Sequence, residues 1–414
     1  MTYEMGRSVG AVSGVNSGNP SSKVLTTNTA LPSATRVRHG AAFKENMMRA
    51  RFNFHPFARL ILGLLVLSTG VYGATPLAAS SLPVPHTPIL ITKDSDFMTC
   101  GCVVAGDGSS ANPFQIGPWK IDDLSSGFAV RIDNGKGGIT KFFNLVGITS
   151  NPPLGAVDPK SAVISMTKVN RLTLVQDTTA NAAGIGVSID QSSHIRIDGS
   201  NLNKMLGHGH LVSNSSDIVV TNSKLKSEQS GMVLANSFNV KIGADPACAA
   251  PLDCNDFTYD EAYALLILNS HDVLVEGLNA NAADTAGIVL SGKNTYDVEV
   301  RFSRASANGP ICHTMQPSGL RGHTGLEVDH NGGIVLINGA HDNDIHENTV
   351  QADTGFDLRS GGNGVFVDPC TGAIIPVPKS DPMGSNNQFS PGPNCYSTTN
   401  ISPAPPKGQQ CPGS

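Results

Sequence analysis

The chain has 414 residues, a formal net charge of −5 and few aromatic residues, 5% of the total, with a single tryptophan. A mildly negative charge without a basic stripe makes nucleic acid an unexpected partner. The scarcity of aromatic side chains argues against a broad platform on which sugars stack. Enzymes and binding proteins that do not depend on such a stacking platform remain open.

The N-terminal region is expected to lie outside the folded body. Residues 1–46 are rich in Ser, Thr, Asn and Gly without hydrophobic periodicity, which predicts disorder or a start codon assigned too early. Residues 47–80 contain arginines, then the apolar run 60–67, then small residues. These are the three regions of a secretory signal peptide.

The signal peptide has a normal length only if translation starts at Met47 or Met48, and we expect cleavage between Gly73 and Ser80. An uncleaved anchor is the alternative. Its apolar core of about eight residues is well short of the roughly 20 residues that span a bilayer. After cleavage we expect no stable membrane span, a monomer, and a location outside the cell, in the periplasm or in the cell envelope.

The eight cysteines, an even number in an exported chain, predict disulfides rather than metal sites. Cys248 and Cys254 flank a short insertion and are expected to pair, whereas Cys395 and Cys411 can pair within the C-terminal tail. The partners of the other four stay open: Cys100, Cys102, Cys312 and Cys370. A zinc site is the alternative, but the chain contains no Cys-x₂-Cys pair.

A short unit recurs through the middle of the chain, in which Asn, Asp or His precedes the pattern apolar-x-apolar. From Leu172 the first apolar residue recurs at intervals of about 23, 23, 22, 33, 25 and 47 residues. A period in the low twenties is typical of a solenoid, in which each coil buries its apolar face against its neighbours. Val and Ile alternate with polar residues and are separated by Gly, Asn and Ser, which predicts strands and turns rather than helices.

Many copies are preceded by a second apolar-x-apolar strand, as in 185–189, 232–234 and 288–290. Each coil therefore combines two or three short strands with polar turns. This pattern predicts an all-β fold, a single-stranded right-handed parallel β-helix of about 8–10 coils. At about 4.8 Å per coil the stack would be about 40–50 Å long.

The repeat assigns domain boundaries on either side of it. We expect a lead-in and cap over 81–126, with a short helix at 118–124, and the β-helix over 127–368. The tail, 369–414, is rich in Pro, Gly and Asn and is expected to cover or trail from the far end.

The repeat resembles those of the pectate-lyase-like superfamily, with 332–350 as the best stretch, and 106–116 is similar to the lead-in of NosD-like β-helix proteins. The resemblance covers roughly residues 100–370. It implies the architecture and no particular activity, because this fold hosts hydrolases, lyases, epimerases and non-catalytic proteins.

The densest group of titratable residues lies where the interval doubles to 47 residues. With Leu326 and Val328 pointing inward, His323, Glu327 and Asp329 point outward, and two carboxylates about 6.5–7 Å apart suit an inverting glycosidase. Irregular segments of a scaffold often carry function. The predicted catalytic residues are therefore Glu327, Asp329, His323 and Arg321, with His330 binding substrate. A solvated strand face is the alternative.

A second candidate is Gly207-His208-Gly209-His210, which resembles the Gly-His-Gly of polygalacturonase-type hydrolases and makes His208 a candidate substrate-binding residue. The paired aspartates that this family carries one coil earlier are absent, so the segment is interpreted as a Gly-rich turn. The repeated Asp217, Asp272, Asp297 and Asp344 are interpreted as turn residues, because His and Asn occupy the same position in other coils.

Two functions remain open from the sequence. One is a secreted enzyme that cleaves polysaccharide by hydrolysis or β-elimination. The other is a non-catalytic β-helix that binds glycans or proteins at the cell surface or in the envelope. The sequence shows no cofactor site, although a lyase would call for Ca²⁺, and the expected partner is a polysaccharide or surface glycan.

Overall fold

A computed structural model describes part of the chain: residues 82–153, 158–181, 183–226, 229–243, 248, 251–260, 262–283, 285–306, 308, 332–351, 356–360, 365–367, 374–376, 387, 395–396, 401–402 and 409–410. The signal peptide over 47–80, the pair Cys395–Cys411 and the catalytic candidates between 309 and 331 lie wholly or partly outside these residues.

Three long sheets dominate the described residues, and each coil enters them in a fixed order, which we use to name them. The first sheet contains Ile89–Ile91, Phe128–Asp133, Ala162–Thr167, Ile185–Asp190, His208–Ser213, Ser230–Ala235, Tyr263–Leu268, Ala286–Ser291, Gly332–Ile337, Phe356–Ser360 and Ile401–Ser402. The second sheet contains Val103–Ala105, Phe114–Ile116, Phe143–Val146, Asn170–Gln176, Ser193–Asp198, Ser216–Thr221, Phe238–Gly243, His271–Glu276, Tyr296–Arg301 and Asp344–His346.

The third sheet is made of shorter strands: Val84–Pro85, Trp119–Lys120, Ile148–Ser150, Thr179–Asn181, Asn201–Asn203, Lys224–Lys226, Asn255–Thr258, Leu278–Asn281, Arg304–Ser306, Thr349–Gln351, Cys395–Tyr396 and Gln409–Gln410. A small antiparallel pair, Val365–Val367 with Ile374–Pro376, stands apart. The described helices are short, Asp94–Thr99 and Pro251–Cys254.

Nine successive coils have a strand in all three sheets, counted over the described residues, and nearly all pairings are parallel. The prediction of a parallel β-helix with 8–10 coils is therefore confirmed. The connections between parallel strands of one sheet are almost always right-handed, because a right-twisted strand allows the chain to pack back onto the sheet only in that sense.

The core runs through the stack of coils. In one coil Val187 and Ile189 point inward from the first sheet, Ile195 and Ile197 from the second, and Leu202 from the third, and all are at most 1% exposed. Burying one such side chain contributes about 1.5–3 kcal/mol. The inward-pointing side chains of a coil are thus buried only when another coil lies above it and another below it.

Left-handed residues turn the chain between sheets. Between the first and second sheets one residue of each coil has φ between 47° and 55° in six coils: Lys168, Gln191, Asn214, Asn236, Asn269 and Asn338. Asn is several-fold enriched in this conformation among residues other than glycine. The frequent Asn of the repeat is explained by this corner.

Directly after that corner, buried serines bond one coil to the next. The Ser192 hydroxyl accepts the N–H of Val169, and the Ser215 hydroxyl accepts the N–H of Ser192. Ser237 and Ser270 continue the series, and each of the four hydroxyls donates to the carbonyl two residues earlier. This hydroxyl ladder satisfies backbone N–H groups that water cannot reach.

Three details differ from the sequence-based expectations. The segment 118–124 forms the strand Trp119–Lys120 rather than a helix, and the N-terminal helix lies at Asp94–Thr99. Leu172 is 70% exposed, because the register shifts between Asn170 and Thr173 and Thr173 takes the buried position. Strands also occur within 81–126 and after 369.

Two disulfides lie among the described residues. Cys248 and Cys254 are bonded, with Cα atoms 6.5 Å apart, which confirms the predicted pair. Cys100 and Cys102 form the second, a link that the sequence left open. In the part of the chain covered by the structure, no helix is long and apolar enough to cross a membrane.

Candidate functional site

Five of the six predicted site residues, Arg321, His323, Glu327, Asp329 and His330, lie outside the described residues. The sixth, His208, begins the strand His208–Ser213 of the first sheet. The Gly-His-Gly-His segment is therefore the start of a strand, and its interpretation as a turn is wrong.

The two histidines of this strand have different surroundings. His208 is half-buried, and its burial lowers the pKa of its ring. His210 points into the core, in register with Val187 and Met232, and neither ring nitrogen has a hydrogen-bond partner. Burial lowers the pKa of His210 to about 3, so the ring is neutral at ordinary pH.

Gly209 and His210 are successive buried residues of this strand. At Gly186, one coil before Gly209, a Cβ would lie 2.2 Å from Cδ1 of Leu202 and 2.5 Å from the Gly209 carbonyl oxygen. The residue at this position faces the crowded interior, and the next residue also faces inward. His210 is thus a core residue with no path to a ligand.

One position of the repeat in the second sheet, often occupied by Asp, has the same backbone conformation in successive coils. His194, Asp217 and Asn239 have φ between 52° and 62°. The equivalent residues of the later coils are likewise left-handed: Asp272, Asp297 and Asp342. The turn interpretation agrees with this conformation for all but Asp344, which pairs in register with Glu299 and belongs to the outer face of the strand.

We call Asp217, Asp272, Asp297 and Asp342 the carboxylate column. Asp272 lies beside Asp297 because their neighbours Val273 and Val298 are in register. Ser216 and Asn239 donate hydrogen bonds to Asp217, and these bonds lower the pKa of its carboxyl. Asp272 contacts Nδ1 of His271 at 2.7 Å.

Directly before the left-handed position, four coils carry a ring, and these rings form the ring column: Phe238, His271, Tyr296 and His341. Successive ring centroids lie 5.4, 4.7 and 5.6 Å apart, with interplanar angles of 8°, 4° and 13°. The column runs beside the carboxylate column on the same outer face. The order of the ring column comes from the register of the coils.

The opposite edge of the outer face holds an ion-pair network. The Arg301 guanidinium contacts Glu276 at 3.0 Å and Glu299 at 2.7 Å. Nε2 of His346 lies 3.1 Å from Oε1 of the same Glu299, and its Nδ1 lies 3.2 Å from Glu347. Glu299 therefore sits between a cationic group and an imidazole, which is the kind of surrounding that acid–base chemistry uses.

A groove of about 490 Å³ lies on this face, which we call the second-sheet groove. Its lining includes three members of the carboxylate column and the apolar side chains Val219 and Leu274. The polar lining residues are Asp217, Asn239, Lys241, Asp272, Asp297 and Glu299. The lining residues come from four successive coils, so the groove runs along the stack of coils.

The described residues contain no group of three His, Cys, Asp or Glu side chains arranged to hold a metal ion. The carboxylate column is extended along the stack of coils rather than convergent on one point.

The groove escaped the sequence-based reasoning, which discarded the repeated Asp residues as turn residues. A signal was present: the pairs Phe238-Asn239, His271-Asp272, Tyr296-Asp297 and His341-Asp342 place a ring before a left-handed residue in four coils.

No curated protein matches the chain. Among solved structures, a mutant of the periplasmic alginate epimerase AlgG is 12% identical, with a TM-score of 0.39 over 84% of this chain and 100% of that one. The catalytic domain of a GH87 α-1,3-glucanase in complex with nigerose is 10% identical, with a TM-score of 0.39 over 78% of this chain and 62% of that one, less than two thirds of its length.

An alginate lyase from Paenibacillus sp. str. FPU-7 is 12% identical, with a TM-score of 0.25 over 77% of this chain and 96% of that one. At these values the likenesses carry no information about activity. The family model described as right handed beta helix region matches residues 162–372, just over half of the chain. The matched region contains seven of the nine coils, including all those that line the second-sheet groove. The chain therefore belongs to the right-handed β-helix family.

Proposed function

We propose that the protein binds a polysaccharide chain along the second-sheet groove. The observation that carries the proposal is the shape of this groove, which extends over four coils beside the ring column. A linear polymer of repeating units suits a surface whose features also repeat, once per coil at about 4.8 Å.

The chemistry of the lining supports a glycan ligand. Carboxylate and amide groups such as Asp272 and Asn239 accept and donate hydrogen bonds to hydroxyl groups. Val219 and Leu274 offer apolar surface in the lining. Beside the groove, the half-buried Tyr296 of the ring column offers a ring with a polar end. Sites for small polar ligands combine these two kinds of surface.

The test is retention on a panel of insoluble and immobilised glycans, compared between the wild type and Tyr296→Ala, which breaks the ring column between His271 and His341. We expect Tyr296→Ala to weaken retention. Tyr259→Ala is the control, because Tyr259 is 65% exposed and follows the third sheet. Failure of the wild type to bind any glycan would overturn the proposal.

A second candidate function is cleavage of the bound chain, favoured by the contacts of Glu299 with Arg301 and His346 at the groove. The alternative catalytic group comprises Arg321, His323, Glu327 and Asp329. Release of reducing sugar, or of unsaturated product by absorbance, tests the activity. Loss in Glu299→Gln with retention in Asp329→Asn would assign it to the groove, and the reverse would assign it to the other group.

We also propose that the protein is exported to the periplasm, cell envelope or medium and acts there as a monomer. The pair Cys248–Cys254 supports export, because disulfides persist in oxidising compartments. Cell fractionation and light scattering on the purified protein test location and mass. Recovery in the cytosolic fraction would contradict the first point, and the mass of a dimer the second.

A further inference from the structure

We infer that the polysaccharide bound in the second-sheet groove carries protonated amino groups, as a chain of glucosamine units does. This inference rests on the proposed function and names its substrate class. It follows from the charge of the groove, from the pairing of its charged groups and from their regular spacing.

The groove concentrates negative charge. Its lining holds four carboxylates, Asp217, Asp272, Asp297 and Glu299, against the single ammonium group of Lys241. Glu299 is itself paired with Arg301, so the negative charge of the groove rests mainly on Asp217, Asp272 and Asp297. A cleft lined by one sign of charge raises the local concentration of ligands of the opposite sign.

The cations nearby do not neutralise the column. Lys241 faces Glu276 at 3.7 Å, and Arg301 is held by Glu276 and Glu299. Among the described residues, the ion-pair partners of Asp217 and Asp272 are the histidines His194 and His271. Among the described residues, Asp217, Asp272 and Asp297 therefore form no ion pair with a lysine or an arginine.

The spacing of the column suits a polymer with one charge per unit. Asp272 and Asp297 occupy the same place in successive coils, and Asp342 follows in the next. The coils are about 4.8 Å apart, comparable to the length of one pyranose unit in an extended chain. Successive units of an extended β-1,4-linked chain are rotated by about half a turn, so the ammonium groups on one side of a glucosamine polymer recur every second unit. This interval is close to the two coils that separate Asp217 from Asp272.

A polyuronate fits the groove badly for the same reason. Each uronate carboxylate would approach Asp217, Asp272 or Asp297, and like charges at short range repel. A neutral chain would gain hydrogen bonds but no charge attraction. The groove therefore discriminates by charge among polysaccharides of similar shape.

The test is titration of the full protein with three hexamers of the same length: glucosamine, N-acetylglucosamine and galacturonate. We expect the glucosamine hexamer to bind at least tenfold more tightly than either of the others. The double variant Asp272→Asn and Asp297→Asn is expected to lose at least tenfold for glucosamine and to lose less for N-acetylglucosamine. Asp123→Asn, an exposed carboxylate that does not line the groove, is the control and is expected to stay within twofold.

The outcomes separate the inference from the proposed function. Tighter binding of N-acetylglucosamine or galacturonate would overturn the inference and leave the proposed function standing, whereas absence of binding by all three hexamers in addition to the glycan panel would overturn both. Hexalysine tests for unspecific charge attraction. Equal affinity for hexalysine and the glucosamine hexamer would also overturn the inference.

Discussion

The hydroxyl of Ser215 accepts the backbone N–H of Ser192 at 3.1 Å, although the two residues belong to successive coils. It donates at the same time to the carbonyl of Ser213 at 2.6 Å. Both serines are 2% exposed, so water cannot replace these bonds. One hydroxyl group therefore bonds backbone groups of two successive coils.

Ser215→Ala is expected to lower the free energy of unfolding by about 1–3 kcal/mol, because it leaves the buried N–H of Ser192 without a partner. Urea denaturation followed by far-ultraviolet circular dichroism measures the loss. Ser216→Ala is the matched control, since Ser216 lies on the outer face and bonds to Asp217. Equal losses in the two variants would contradict the role of the hydroxyl ladder.

His210 is expected to make the fold sensitive to acid. Its folded-state pKa of about 3 lies below the value of about 6.5 for an exposed histidine, so the unfolded chain binds more protons between these values. The free energy of unfolding is therefore unaffected by this group above pH about 6.5. It decreases as the pH falls from there towards about 3, by up to about 1.4 kcal/mol per pH unit.

His210→Met removes the titrating group and puts an apolar side chain in its place, in register with Met232. Unfolding free energies measured by urea denaturation from neutral to acid pH are expected to fall less steeply in the variant than in the wild type. Parallel curves for the two proteins would show that His210 does not contribute to acid sensitivity.

The disulfide Cys248–Cys254 closes a short loop, so its contribution to stability is expected to be modest. Chain entropy gives about 2 kcal/mol for a loop of this length. The double variant Cys248→Ser and Cys254→Ser should therefore remain folded, with a lower midpoint of thermal unfolding. Failure of the variant to fold at all would show that the insertion depends on this bond far more than loop closure explains.

The sequence predicted the strands and the number of coils because the period-two alternation and the Asn- and Gly-rich corners are local signals. It did not predict the ring column, because Tyr296 and His341 are 45 residues apart and only the register of the coils brings them together. The inward position of His210 was hidden for a related reason. Two successive inward residues at Gly209 and His210 interrupt the alternation that was used to assign faces.

Replacing Arg301 is expected to strengthen binding of the glucosamine hexamer rather than weaken it. Its guanidinium holds Glu276 and Glu299 together at the edge of the second-sheet groove. Arg301→Gln removes one positive charge from a surface that is already negative. We expect a severalfold gain in affinity for the glucosamine hexamer, measured by the same titration, and a loss of stability of no more than about 1 kcal/mol, because the pairs are partly exposed.

Salt and a matched variant distinguish this effect from a change of shape. The gain should shrink as salt is added, since screening acts on exposed charges within a Debye length of about 10 Å at 0.1 M. Arg131→Gln makes the same charge change at an exposed site on the first sheet and is expected to leave affinity within twofold of the wild type. An equal gain in both variants would mean that net charge alone attracts the ligand. A loss of affinity in Arg301→Gln would contradict this prediction. It would mean that Arg301 has to hold the Glu299 carboxylate in position before that carboxylate can attract the ligand.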